Sequence, residues 1–232
     1  MAYLSSSKTP LYSLIYVLPA ALFYEISIFI VNNSDIEGVR NSADILFKRL
    51  IEQIGFEGFE ASILLFFIIF VAVSFVQGIK LKKGDFNWVH FPLIIMESTL
   101  YAAFMVILFS YILRANVTLS GAVPEFQHIV FSVGAGVYEE ILFRGILLQG
   151  LIFLLARVEG SSAILMTLFS VLLTSLIFVG IHYIGPYGDA FSFISFFIRF
   201  VASLILSGIY LWRGFALAAY SHIFYDIFVI LI

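Results

Sequence analysis

Three groups of residues in the second half of the sequence have types and spacings suited to chemistry. They are Glu139-Glu140 with Arg144 four positions on, Phe178 with His182, and His222 with Asp226. All three lie in runs otherwise fit for hydrocarbon. A charged residue at the centre of a membrane helix costs roughly 2.5–3.5 kcal/mol there, so it normally faces a cavity or an opposite charge. On an α-helix Glu140 and Arg144 fall about 40° apart and can pair, whereas Glu139 points about 100° from Glu140 and roughly 140° from Arg144. One carboxylate is then neutralised by arginine, and its neighbour faces whatever the other helices present. His222 and Asp226 also share a helical face, so the carboxylate can orient the imidazole, or both can reach one point. Phe178 lies one turn before His182 and can wall that ring off from lipid.

These groups supply acid–base partners without a nucleophile. Cysteine is absent, which removes thiolate nucleophiles and disulfides together, and no Gly-x-Ser-x-Gly elbow occurs. The set is therefore better equipped to activate water than to form an acyl-enzyme. A carboxylate takes a proton from water, a histidine shares or orients it, and donors on another helix stabilise the oxyanion of a cleaved amide. Hydrolysis of a peptide bond at membrane depth is the concrete form. A lone membrane histidine is commonly just an interhelical hydrogen-bonding partner. Two adjacent acids inside hydrocarbon have no such packing rationale.

The elements that must position these groups follow from composition. The 232 residues are 62% hydrophobic and 12% charged, with 27 Phe and a mean hydropathy of +1.09, which is the make-up of a multi-pass membrane protein. A net charge of −3 with scattered basic residues gives no footprint for nucleic acid. Apolar runs predict spans at about 11–32, 59–79, 88–113, 128–156, 161–185, 190–212 and 214–232. The first carries Glu25 and has no small-residue cleavage site, so it reads as a retained span and not as a signal peptide. Ile45, Leu46, Arg49, Leu50, Ile54 and Phe56 are spaced for an amphipathic helix on the membrane surface, capped by Asn41 or Ser42. The expected fold is thus all-α, a polytopic transmembrane helical bundle of about seven spans plus an interfacial amphipathic helix. Residues 1–127 would hold the N-terminal spans and 128–232 the catalytic core, within one integral membrane domain.

Further features refine that picture. Residues 128–156 are too long for a simple crossing, so span four is tilted or bent, and Gly134, Gly136, Gly145 and Gly150 permit close helix approach along it. Glu25 and Glu97 each stand alone in an apolar run, and structural hydrogen bonding is weighed against a place in the catalytic cavity or its gating. Transport along Glu25, Glu97, Glu139 and Arg199 is a competing reading, but no internal repeat supports it. The cluster Lys80, Lys82 and Lys83 predicts a cytoplasmic loop by the positive-inside rule. With Lys8, Arg157 and Arg213 it outvotes Arg40, Lys48, Arg49 and Arg114, placing the N terminus inside and His182 near the outer surface.

The ordered triple Glu139-Glu140-x-x-x-Arg144, Phe178-x-x-x-His182 and His222-x-x-x-Asp226 resembles the three motifs of the CAAX-processing and bacteriocin-processing (CPBP, or Abi) family of intramembrane proteases. The resemblance covers about residues 128–232. It implies that Glu139 and His182 activate the water, that Glu140 and Arg144 support the site, and that His222 and Asp226 form the oxyanion-binding side. In the prenyl-protein branch the last position is often Asn. Asp226 donates a hydrogen bond only if protonated, so orienting His222 is its alternative role. Two histidines plus carboxylates are competent for zinc, but the family is described as glutamate proteases without metal, so no cofactor is expected. The implied partners are a peptide or a membrane-anchored, CAAX-like protein substrate and the lipid bilayer, in the cell membrane or, in a eukaryote, the endoplasmic reticulum. A non-proteolytic scaffold or immunity factor of the same fold is the alternative.

Overall fold

The computed structural model of the chain describes residues 2–31, 42–53, 55–56, 64–66, 68–69, 71–73, 86–116, 125–160, 162–184 and 188–231. The second expected span lies largely outside them. So do Arg40, Asn41, Ile54 and the Lys80–Lys83 cluster. Among the described residues there is no strand, as the apolar runs require. The helices are α1 (Ala2–Lys8), α2 (Pro10–Val31), α3 (Ser42–Glu52), α4 (His90–Asn116), α5 (Glu125–Gly134), α6 (Gln149–Leu155), α7 (Ala163–Ile181), α8 (Phe193–Arg213) and α9 (Phe215–Leu231). Four of them, α2, α4, α7 and α8, are long and apolar enough to cross a membrane. The outward faces of α4 and α7 carry large aliphatic side chains such as Ile107 and Ile164, the surface that hydrocarbon requires. The protein is an integral membrane helical bundle.

The bundle is organised around α9, whose residues Phe215 to Ile223 are all buried. It packs against α2, α4, α5 and α8. Its entry is fixed by Gly214, the single residue joining α8 to α9. With φ at 101° this position favours glycine, and a Cβ there would lie 2.3 Å from the Ser7 carbonyl oxygen. The join is therefore pressed onto α1, a helix that the sequence reading did not anticipate.

Span four departs most from expectation. Between α5 and α6 the chain forms two π-helical stretches, Ala135–Glu139 and Ile141–Leu148, with Glu140 between them. The helical pitch therefore changes from α to π and back along this segment. Such stretches are rare and gather at functional sites. Of its four glycines, Gly134 and Gly136 serve close approach. A Cβ on Gly136 would meet Ile223 Cγ1 at 2.3 Å and the Ala219 carbonyl at 2.8 Å, and one on Gly134 would meet the Tyr24 ring at 2.4 Å. Gly150 has nothing within 4 Å, and Gly145 has only the Glu140 carbonyl at 3.8 Å.

The isolated acids are tied to structure. Glu97 receives Arg213 through two bonds (Nε to Oε1 at 2.5 Å, Nη2 to Oε2 at 2.7 Å), Tyr101 at 2.7 Å, and the Tyr3 hydroxyl. Burial, reinforced by the Glu97 carboxylate, pushes the Tyr3 phenol above its ordinary value. Arg213 is itself buried and also donates to Ser7 Oγ at 3.2 Å. It is a core ion pair and not a loop charge, so it drops out of the vote on orientation. Glu25 accepts from the Tyr138 hydroxyl. Tyr24 bonds Asp44 at 2.9 Å and packs its ring 5.4 Å from that of Tyr138.

Asp44 explains how α3 docks. The helix is amphipathic as expected, but Ala43, Asp44, Phe47 and Ile51 form its buried face while Leu46, Arg49 and Leu50 point outward. Phe47 lies against Tyr138, ring centroids 6.4 Å apart. The helix is held on the bundle by this face, which leaves Leu46 and Leu50 exposed.

Candidate active site

Glu140 is fully buried and has two partners on one oxygen. Its Oε1 accepts from Arg144 Nη1 at 2.7 Å and meets His222 Nδ1 at 2.8 Å. The i,i+4 pair that the sequence suggests is therefore made, and it carries a second link to α9. Arg144, also fully buried, reaches across to α8, where its Nη2 donates to Ser203 Oγ at 3.0 Å and to the Ser203 carbonyl at 3.2 Å. Ser203 Oγ donates in turn to Ser175 Oγ on α7 at 3.1 Å. The guanidinium also lies 4.9 Å from the centroid of the Phe178 ring. One arginine thus ties span four to α7 and α8, and the carboxylate it neutralises holds the histidine of α9. Removing charges from water is tolerated only when geometry and hydrogen bonds compensate; this layer does so through Glu140 Oε1 and the two Nη atoms of Arg144, while Glu140 Oε2 and Arg144 Nε have no hydrogen-bond partner among the described residues.

His182 is the C-cap of α7. Its Nδ1 lies 2.8 Å from the carbonyl oxygen of Phe178. A carbonyl can only accept, so Nδ1 carries the hydrogen and Nε2 of the neutral ring is the acceptor. The tautomer follows from the four-residue spacing, since His182 ends the helix one turn after Phe178. The Phe178 ring stands 4.9 Å from the His182 ring and 6.3 Å from that of His222, centroid to centroid, and so separates the two imidazoles. Asp189 N–H donates to the His182 carbonyl at 2.8 Å.

His222 has carboxylates near both ring nitrogens, Glu140 at Nδ1 and Asp226 Oδ2 3.6 Å from Nε2. The second distance exceeds a normal hydrogen bond.

These groups converge on one cavity of about 490 Å³, whose lining includes Glu139, His182, His222, Asp226, Phe178 and Arg199. That size lies within the roughly 300–1,000 Å³ of small-ligand sites. Five of the residues in the three sequence groups, on three separate segments, share its wall. Glu140 and Arg144 lie behind it, in the dry layer. Glu25 and Glu97 do not line it. Among the described residues no three His, Asp or Glu side chains are grouped as metal ligands.

Sequence reasoning did not find Ser175 and Ser203, because serines in an apolar helix give no signal that separates a partner from filler. Arg199 did give one, an ionisable residue inside a span, and it lines the same cavity.

Acids and histidines from three segments of a membrane helical bundle thus gather on one cavity. Residues 121–228 match the model of the family described as Type II CAAX prenyl endopeptidase Rce1-like. This segment contains the site residues named above, and over it the chain is similar to that family. No curated protein and no solved structure matches the chain.

Proposed function

We propose that the protein is a multi-pass intramembrane endopeptidase that hydrolyses a peptide bond of a membrane-associated, CAAX-like protein substrate. Glu139 and His182 activate the water. The observation that carries this reading is the shared cavity wall of Glu139, His182, His222 and Asp226, with the His182 hydrogen committed to the Phe178 carbonyl. His182 Nε2 is then an acceptor that orients a water, and Glu139 takes its proton as the oxygen attacks the carbonyl carbon. The oxyanion that forms needs a donor, and His222 supplies it from Nε2 as the imidazolium, its Nδ1 hydrogen given to Glu140 behind it. Asp226 acts on the same nitrogen from 3.6 Å, a distance suited to orienting the ring and leaving its hydrogen for the substrate oxygen. The proton on Glu139 passes to the leaving amine. No metal is required by this scheme.

The test uses the purified full-length protein in detergent micelles with a fluorescent peptide bearing an S-farnesyl cysteine followed by three apolar residues. Wild type is expected to release the tripeptide, with activity unaffected by a chelator, while Glu139→Ala and His182→Ala each lose at least about 100-fold, in line with removal of a general base. A Glu139→Ala protein that cleaves at the wild-type rate would end the glutamate mechanism.

A further inference from the structure

Three consecutive residues of span four point three ways. Tyr138 is buried against α2 and α3, Glu139 lines the cavity, and Glu140 is sealed with Arg144 and His222. Glu139 is therefore flanked by two anchored side chains, and the anchor at Tyr138 reaches a part of the molecule remote from the cavity. The Tyr138 hydroxyl donates to Glu25 Oε1 of α2. Its ring lies 5.4 Å from that of Tyr24 and 6.4 Å from that of Phe47, centroid to centroid. Tyr24 donates in turn to Asp44 Oδ2 of α3 at 2.9 Å. Tyr24, Glu25, Asp44 and Phe47 all lie outside residues 121–228, the segment similar to the family.

π-Helical turns are rare and gather at functional sites, so something must hold this one against the commoner α pitch. The stretch Ala135–Glu139 is bracketed by two contacts with α2. Just before it, Gly134 lies against the Tyr24 ring, where a Cβ would come to 2.4 Å. Near its end, Tyr138 bonds Glu25, the next residue of α2. Between them these contacts fix how far the chain turns from Gly134 to Tyr138. On its other side the stretch is pressed onto α9, since a Cβ on Gly136 would meet Ile223 Cγ1 at 2.3 Å, and α9 carries His222. A return to α pitch would turn Glu139 about the helix axis and off its place on the wall it shares with His222.

We propose that Tyr138 is a positioning residue for Glu139: its hydroxyl, held by Glu25, keeps the π-helical turn wound so that the neighbouring carboxylate enters the cavity. The consequence for cleavage rests on the hydrolytic reading above, to which this adds residues of α2 and α3. Tyrosine suits the task because its ring packs against Tyr24 and Phe47 while its hydroxyl takes one directed bond. Phenylalanine would keep the packing and lose the direction. A carboxylate accepts that bond more strongly than a neutral group does, which gives the acid of α2 a use inside an apolar run. Tyr24 couples α3 to the same turn, since its ring touches Gly134 and Tyr138 while its hydroxyl bonds Asp44.

The chain has no cysteine, so Glu139→Cys introduces a single thiol at the position in question. The experiment uses the full-length protein in micelles and follows the rate at which a small, water-soluble methanethiosulfonate modifies that thiol, a measure of its exposure to the cavity. Adding Tyr138→Phe or Glu25→Leu should slow modification about tenfold, whereas Glu25→Gln, which keeps an acceptor, should leave it within about twofold. Tyr101→Phe removes a similar hydroxyl from Glu97, where it bonds at 2.7 Å, and serves as the stability control: Tm should fall with no change of rate at position 139. Rates that Tyr138→Phe and Glu25→Leu leave unchanged or raise, measured well below each Tm, overturn the proposal, as does equal slowing by Tyr101→Phe. Should Tyr138→Phe fail to fold, Glu25→Leu against Glu25→Gln decides. Cleavage of the S-farnesyl peptide with Glu139 intact reports on the hydrolytic reading separately. There Tyr138→Phe and Glu25→Leu should lower kcat about 10–100-fold with KM within about twofold, and Glu25→Gln should retain it. A protein that cuts no peptide but shows the slowed modification loses the hydrolytic reading and keeps this one. One that cuts peptide, with modification indifferent to Tyr138→Phe and Glu25→Leu, does the reverse.

Discussion

Replacing Arg144 by Met tests whether the buried layer is an ion-pair network or simply well-packed volume. The substitution keeps a long apolar stem but removes the bonds to Glu140 Oε1, to Ser203 Oγ and to the Ser203 carbonyl, along with the contact over the Phe178 ring. The dominant effect is on Glu140, whose carboxylate stays fully buried with only His222 as a charged-capable neighbour. Removing one partner of a buried pair costs about 3–5 kcal/mol, mainly as the penalty of the charge left behind. For a chain of this size each kcal/mol corresponds to roughly 2–4 °C in Tm, so a fall of about 6–20 °C is expected. If the stranded charge is the cause, Arg144→Met/Glu140→Gln must be more stable than Arg144→Met alone, because the amide needs no counter-ion. Thermal unfolding of the three proteins in one detergent, read by tryptophan fluorescence, decides the matter. A loss under about 1 kcal/mol in the single variant, or a double variant no more stable than the single one, would refute the network account.

Three further outcomes follow from named contacts. Gly136→Ala places a Cβ against Ile223 and the Ala219 carbonyl, so α9 must shift; about 1–3 kcal/mol of stability should be lost, and cleavage should fall with it because α9 carries His222. Glu97→Leu strands Arg213 at the opposite end of α8 from the cavity mouth; Tm should drop by about as much as for Arg144→Met, but the KM of the surviving protein should be unchanged. Tyr138→Phe removes the hydroxyl donated to Glu25 and should cost about 1.5–3 kcal/mol, the range for a hydrogen bond to a charged group, measurable in the same unfolding assay.

Much of the site was legible because charge inside hydrocarbon is expensive and so carries information. Glu139, Glu140, Arg144, His182, His222 and Asp226 could be picked out and ordered from that cost and from i,i+4 spacing alone. What could not be read was the cross-helix partnering. That His222 would bond Glu140 depends on how α9 lies on the π-helical stretch, and nothing in either segment encodes its mate. The π-helical pitch itself was invisible, since a residue four positions on stays near the same face in either helix. Glu97 and Arg213 are 116 positions apart, and each looked like an isolated charge until the fold joined them. The docking face of α3 was hidden for a related reason. Asp44 sits on the buried face, where it accepts from Tyr24, 20 positions away.

The two layers of the site should separate under mutation, and that separation is the strongest consequence of the geometry. Glu140 and Arg144 are sealed and cross-linked, so changing them lowers stability and activity together. Glu139 and His182 are partly exposed to the cavity, where water can solvate whatever remains after truncation. Their substitution should therefore abolish cleavage with Tm held within a few degrees of wild type. A plot of Tm against residual activity for single variants should then form two branches, one falling in both coordinates and one falling in activity alone. If Glu139→Ala instead unfolded the protein as Arg144→Met does, Glu139 would belong to the structural layer, and the water-activating role would need a different carboxylate. Asp226, the remaining acid on the cavity wall, would then be its candidate, and Asp226→Asn would become the decisive variant.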